Sequence, residues 1–388
     1  MGERLSKPIR EKQTEDGKTS TLEYGICAMQ GYRISMEDAY LYSTDLIPGK
    51  NFSIFGICDG HGGKEVSEYI SRHFIEYLLK NPNFKQQNYE KALRETFLNL
   101  DKSLLTEEAR KELIEISKDD RIKDNIKMEN YCKEMKIKEE EIEKMKVFTN
   151  LFNPRNLQEI NISYLCGSTA CIILITEEEI YISNSGDSRC LILNKLGQII
   201  YKTTDHKCTN IEEKKRIEQA EGFLESNRIK GSLDVSRGFG DLEHKQCKWL
   251  KQEDQVITSN PDIKVMKLSD VYYCIIGCDG FFDPTNKDEV NDNIAEFVFK
   301  ELNLGKKGSE VLGDYIDKLV PDEINNNNAL GTDNCSAIVI KFLKEELKDN
   351  GNEKNNINII NNTESNESNY NNLNDNNNDN NNEGNNEV

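Results

Sequence analysis

What the chain lacks narrows it first. No apolar stretch approaches the roughly 18 residues of a membrane-spanning helix, and no apolar segment of the secretory-signal kind follows the N-terminus. Its eleven cysteines include no CxxC pair. Cys58, Cys171 and Cys274 sit inside apolar runs, as reduced buried thiols do, so a cytoplasmic or nuclear compartment is expected rather than a disulfide framework. Four histidines give no basis for a histidine-rich zinc site, whereas plentiful carboxylates favour hard cations with oxygen ligands. Basic excess is missing too. A net charge of −19 argues against a nucleic-acid partner, which needs a positive footprint.

What is present is a chain of 388 residues, enough for one large domain or two ordinary ones. Residues 349–388 carry eight acids against one lysine, and half of them are asparagine. Such a segment cannot offset its ordering entropy, so 343–388 reads as a disordered acidic tail. Residues 1–21 read as a polar, irregular N-terminal segment. Short β-like runs follow at 22–29, 52–58, 169–175, 179–184, 189–194, 198–203, 271–278 and 335–342. Val66, Ile70, Phe74 and Leu78 mark one amphipathic helix, and Leu93, Phe97, Leu100 and Leu104 another. His73 lies on the first apolar face and is expected to pack in the core. Residues 106–161 are mostly charged with sparse apolar positions, a solvated insertion by composition. Strands in clusters and helices in pairs suggest an α+β domain of stacked sheets rather than alternating βαβ units.

The acids are placed unusually. The apolar run in "NFSIFGICDGHGG" (51–63) stops at Asp59, Gly60 and His61, and "IIGCDG" (275–280) repeats the pattern at Asp279. Asp187 in "SGDSR" and Asp333 in "GTDNCS" also stand at strand boundaries. Each alone reads as turn chemistry. Four carboxylates converging on one rim would repel unless cations neutralised them. Upstream, "GYRISMED" (31–38) sets Arg33 before Glu37 and Asp38; alone, Arg33 reads as a surface charge.

Taken in order, GYRISMED, CDGHGG, GSTA (167–170), SGDSR, DHKCTNIEEKKRIEQAEG, GSLDVSRGFGD, CDGFFD and GTDNCS resemble the metal-dependent protein phosphatases of type 2C. The resemblance spans about residues 22–342 and skips the 106–161 insertion. It implies a catalytic domain built as a sandwich of two antiparallel β-sheets flanked by helices on both outer faces. It implies a pair of Mg or Mn ions bridged by Asp59, with the Gly60 carbonyl, Asp279 and Asp333 as ligands and Glu37 and Asp38 acting through bound water. Asp187 and Asp283, with Asp279, match a weaker third metal position. Arg33 would bind phosphate, His61 would protonate the leaving group, and Asp241 reads as a support residue. The implied activity is hydrolysis of phosphoserine and phosphothreonine in protein substrates by an activated water. A covalent thiolate route would want a Cx5R loop at a helix start, which is not expected. The alternatives are a small-molecule phosphoester hydrolase using the same ions and a catalytically silent scaffold of the same fold. Cys208 stands where the family commonly has proline, a departure in the region flanking the cleft. The oligomeric state is not legible.

The opening "MGERLSKPIR" also fits M-G-x-x-x-[ST], making Gly2 a candidate for myristoylation. One such chain binds membranes only marginally. Arg4, Lys7, Arg10 and Lys12 would add weak, salt-sensitive attraction to an anionic leaflet.

Overall fold

The computed structural model describes residues 4–117, 161–282, 288–323 and 331–344. Most of the 106–161 insertion, the Asn run at 325–328 and the acidic tail beyond Lys344 lie outside these residues. The body is two antiparallel sheets. One runs in the order β1 (Arg4–Lys18), β2 (Leu22–Arg33), β16 (Cys335–Phe342), β15 (Tyr273–Gly277), β9 (Arg189–Leu193) and β10 (Ile199–Lys202). The other runs β14 (Asp262–Lys267), β8 (Glu179–Ser185), β7 (Ala170–Ile175), β4 (Ser53–Cys58) and β3 (Ala39–Ser43).

Continuous apolar strands need cover on both faces, and here they have it. Along β4, Phe55 and Ile57 join the core between the sheets, while Ile54 and Cys58 join a second core beneath the helices. Strand β7 alternates the same way, with Cys171 and Ile173 in the first core and Ile172 and Leu174 in the second. Helices α1 (Glu65–Lys80) and α3 (Tyr89–Ser103), joined by the short α2 (Pro82–Lys85), bury Ile70, Phe74, Leu93 and Phe97 in that second core. Helices α6 (Asp288–Asn303) and α7 (Gly308–Leu319) bury Ile294, Val298, Val311 and Ile316 against the first sheet. The α+β sandwich with helices on both outer faces is therefore the observed architecture.

Three expectations are corrected. Residues 4–18 are not irregular: β1 pairs antiparallel along β2, from Lys18↔Glu23 to Arg4↔Arg33, with irregularities between Arg4 and Lys12. An edge strand needs no apolar face on its solvent side, so its polar sequence hides it. Arg10 pairs with Asp322 at 2.8 Å and Lys12 with Asp317 at 2.8 Å, so two of the four bases considered for a membrane surface are already engaged. Gly2 lies outside the described residues. The start of the charged insertion is also not merely solvated: residues 107–117 form helix α4, which buries Ala109, Leu113 and Ile116 in the second core. Spacings of four and three make a narrow stripe that a charged composition masks. His73, expected in the core, is instead half-buried, and its Nε2 lies 2.8 Å from Glu112 Oε2 on α4.

Between β10 and β14 the chain forms a flap: helix α5 (Ile211–Gln219) and the hairpin β11 (Leu224–Glu225)–β12 (Arg228–Ile229), over a small core of Cys208, Ile217, Ile229 and Ile257. So small a core needs a polar fastening. Glu213, buried on α5, accepts from Arg237 Nη2 at 2.6 Å, Arg216 Nη2 at 2.8 Å and Ser236 Oγ at 2.6 Å. Burial alone would raise its pKa, but Arg237 and its companions outweigh that and hold it at about 2. A depressed folded pKa gives stability that is complete above the unfolded value, about 4.3, and is lost as pH falls through 2. Glu213→Gln should therefore cost about 3–5 kcal/mol at pH 7. Urea unfolding should show that deficit narrowing as pH drops from 4 towards 2.

Candidate active site

Strand register builds the site. Gly277 of β15 pairs with Arg189 on one side and Ala337 on the other, which carries Asp279, Asp187 and Asp333 to the same end of three adjacent strands. Cys335 of β16 pairs with Met29 of β2, so Arg33 arrives beside Asp333, and Arg33 Nη2 donates to Asp333 Oδ2 at 2.5 Å. From the other sheet, β4 ends at Asp59. Its backbone N–H donates to Thr169 Oγ1 at 3.3 Å, and the Thr169 N–H donates to the Asp59 carbonyl at 2.9 Å.

Beyond Asp59 the chain makes a two-residue strand, β5 (Gly60–His61), paired with β6 (Gly167–Ser168), which pairs in turn with β13 (Phe239–Gly240). This small sheet sets His61 Nε2 2.8 Å from Asp241 Oδ2. Two glycines are required by close approach. A Cβ on Gly60 would lie 2.4 Å from the Glu37 carbonyl, and one on Gly167 would lie 2.2 Å from Asp241 Oδ2 and 2.5 Å from His61 Nε2.

Arg33, Glu37, Asp59, Gly60, His61, Asp187, Asp279 and Asp333 all line one cleft of about 430 Å³. Within it, donor atoms of Asp59, Asp187 and Asp279 lie within 4.8 Å of one another, as do those of Asp38, Asp59 and Cys278. Asp59 belongs to both groups. Asp283 lies outside the described residues.

The charge balance is poor. Arg33 serves Asp333 and Lys207 contacts Asp187, but among the described residues no ion pair reaches Asp38, Asp59 or Asp279. Burial, with Asp38, Asp279, Asp187 and Asp333 around it, raises the Asp59 carboxyl well above the usual range. Burial does the same to Asp279, with Asp187 and Asp333 adding to it. Burial, reinforced by Asp333, pushes Asp38 up to about 7, and its Oδ2 is buried without a hydrogen-bond partner. Crowded carboxylates with an orphaned oxygen are a donor set for a hard divalent cation, which would neutralise them. For His61, burial would lower the pKa, but the Asp241 carboxylate outweighs it and the net shift is upward.

Several contributors were not singled out from sequence. Asn334 holds the Arg33–Glu37 turn: its Nδ2 donates to the carbonyls of Gln30 at 2.8 Å and Ser35 at 3.0 Å, and its Oδ1 accepts from the Glu37 N–H at 3.0 Å. It sits inside GTDNCS beside Asp333, where adjacency was a signal. Lys207, in the DHK run, was equally visible. Asp101 gave none. From α3 it accepts from the Gly240 N–H at 2.9 Å and pairs with Lys245 at 2.8 Å, which fixes the backbone leading into Asp241. A Cx5R spacing does occur, Cys27 to Arg33, but within β2, where burial pushes the Cys27 thiol up to about 12. It is a strand, not an anion-binding loop.

Comparison with known proteins bears on the family and the fold. The family model for Protein phosphatase 2C matches residues 22–122 and 117–327. Protein phosphatase 2C 1 of Paramecium tetraurelia is 36% identical over 346 residues, spanning 88% of this chain and 99% of that protein. Probable protein phosphatase 2C 3 of the same organism is 36% identical over 350 residues, spanning 89% and 100%. Among solved structures, a phosphatase from a pathogenic strain of Toxoplasma gondii shares the fold with a TM-score of 0.60 at 20% identity, covering 87% of this chain and 97% of that one. Since the family model covers most of the chain and these relatives match it over nearly their whole length, the chain belongs to the protein phosphatase 2C family.

Proposed function

We propose that the chain is a metal-dependent protein serine/threonine phosphatase, and that its cleft hydrolyses phosphoserine and phosphothreonine without a covalent enzyme intermediate. The observation that carries this is the sharing of Asp59 between two groups of close donor atoms in a cleft that also holds Arg33 and His61. Asp59, the Gly60 carbonyl, Asp279 and Asp333 are the residues to hold a Mg or Mn pair, with Glu37 and Asp38 acting through water. When bound, such a pair supplies Lewis acidity, lowering the pKa of water towards neutrality.

The chain's own side chains supply the rest. Asp333 holds one edge of the Arg33 guanidinium through Nη2, which orients the planar fork over the cleft for a tetrahedral phosphate. His61 Nε2 is committed to Asp241, so the imidazolium proton available to a leaving alkoxide is the one on Nδ1. Asp241 keeps that imidazolium populated by raising its pKa. Phosphoprotein substrates follow from the family, whose relatives are named as protein phosphatases.

The deciding experiment measures phosphate release from a phosphothreonine peptide with and without Mn²⁺. Release is expected only with the metal; metal-independent release would overturn the reading. Asp59→Asn should abolish turnover and weaken Mn²⁺ binding in calorimetric titration, and a variant with both intact would remove Asp59 from the shared role. His61→Ala should slow alkyl phosphoesters about 10²–10⁴-fold while sparing aryl phosphates, whose leaving group needs no proton. Equal losses on both substrates would exclude His61 as the acid.

A further inference from the structure

The Asp59–Asp187–Asp279 group already has a cation in contact with it. The Lys207 ammonium pairs with Asp187 Oδ2 and stands 3.6 Å from Asp234 Oδ2, and it also acts electrostatically on Asp279. Its side chain is only 18% exposed and that of Asp187 5%, so this contact is built into the fold. The backbone shows how. The His206 N–H donates to the Gly186 carbonyl at 2.9 Å, and the Gly186 N–H donates back to His206 Nδ1 at 3.1 Å. On either side of that clasp, the buried Arg189 grips Asp205 through Nε at 3.1 Å and Nη2 at 2.7 Å. Residues 205–207 and 186–189 are thus laced together, and Lys207 must emerge beside Asp187. Its other partner belongs to the flap: Asp234 lines the cleft, and its carbonyl accepts from the Cys208 N–H at 3.0 Å.

We propose that Lys207 is the resident cation of the Asp59–Asp187–Asp279 triad: it competes with a divalent ion for Asp187, and Asp234 on the flap sets the strength of that competition by sharing the ammonium. This rests on the reading that the cleft binds divalent ions. A monovalent ammonium and a divalent ion a few ångströms apart repel, so the ion enters this triad only as Lys207 leans away from Asp187. The direction in which it can lean is towards Asp234. Filling the triad and tightening the flap are then one event.

Charge alone fixes the sign of the test and its least size. Even at the permittivity of water, a unit charge a few ångströms from a divalent ion is worth about tenfold in affinity. Calorimetric titration of Mn²⁺ into the full-length protein reads the weakest binding step. Lys207→Met should tighten that step about tenfold or more, while Lys207→Arg, which keeps the charge, should stay near wild type. Asp234→Asn removes the competing partner and should weaken the step about two- to fivefold. A change acting through space would do so regardless of Lys207, so the double variant decides: Asp234→Asn should lose its effect in the Lys207→Met background. Unchanged or weaker binding by Lys207→Met overturns the competition, as does an Asp234→Asn effect of equal size in both backgrounds. If Lys207→Met does not fold, Lys207→Gln, which also removes the charge, takes its place alone and with Asp234→Asn, and the same outcomes decide. Absence of Mn²⁺ binding in wild type and every variant would overturn the divalent-ion reading itself and this one with it.

Discussion

Everything in this molecule answers to one electrostatic constraint, the crowding of carboxylates at one end of the sandwich. Asp38, Asp59, Asp187, Asp279 and Asp333 sense one another strongly enough that burial and mutual repulsion raise the Asp59 and Asp279 carboxyls together. No fold assembles such a group for stability, because each buried charge costs several kcal/mol unless it is paired. The cost is tolerable only because the acids stand at the ends of strands whose middles are almost wholly apolar. The two cores supply the burial, and the strand ends carry the acids.

That division explains why the second rank of residues matters as much as the acids. Rigid strands deliver Asp187, Asp279 and Asp333 by register, but the Arg33–Glu37 turn has no ladder to hold it, and the Gly238–Asp241 segment has only the two-residue pairing of β13 with β6. Asn334 and Asp101 take that role with hydrogen bonds to backbone N–H groups and carbonyls. Asp101 is itself neutralised by Lys245, both nearly fully buried, so the group that orients the His61 partner adds no uncompensated charge to an already acidic end. Preorganised dipoles of this kind are what a site needs if its donors are to meet a developing charge without rearranging.

Legibility in the sequence followed the same physics. Strands β4, β7, β15 and β16 were visible because cover on both faces leaves an unbroken apolar run. Helices α1 and α3 were visible because cover on one face leaves a stripe. Strand β1 was missed because an edge strand satisfies its backbone on one side and its polar side chains with ions such as Asp317 and Asp322; nothing periodic survives. Helix α4 was missed because three buried apolar residues amid charge fall below what composition can register. In the site, the motif residues Arg33, Glu37, Asp59, Gly60, His61, Asp187, Asp279 and Asp333 line the cleft, while Asp38 stands beside Asp59 and Asp241 beside His61. Asp101 could not be found, because its role depends on where α3 lies and not on what surrounds it in sequence.

The polar fastening of the flap completes the logic. The flap core has only four fully buried apolar side chains, too few to fix its position by burial alone. Its two anchors are therefore ionic: Glu213 with Arg216 and Arg237 at its base, and Lys207 with Asp234 at its rim. The basal anchor is a buried carboxylate held at about 2 by two arginines and Ser236. The rim anchor shares its ammonium with Asp187 of the acidic cluster. A segment pinned hard at one end and electrostatically at the other can move only where the cluster's charge allows. If Lys207 yields to a divalent ion as proposed, the rim of the flap is held by the occupancy of the carboxylates as well as by the flap's own sequence.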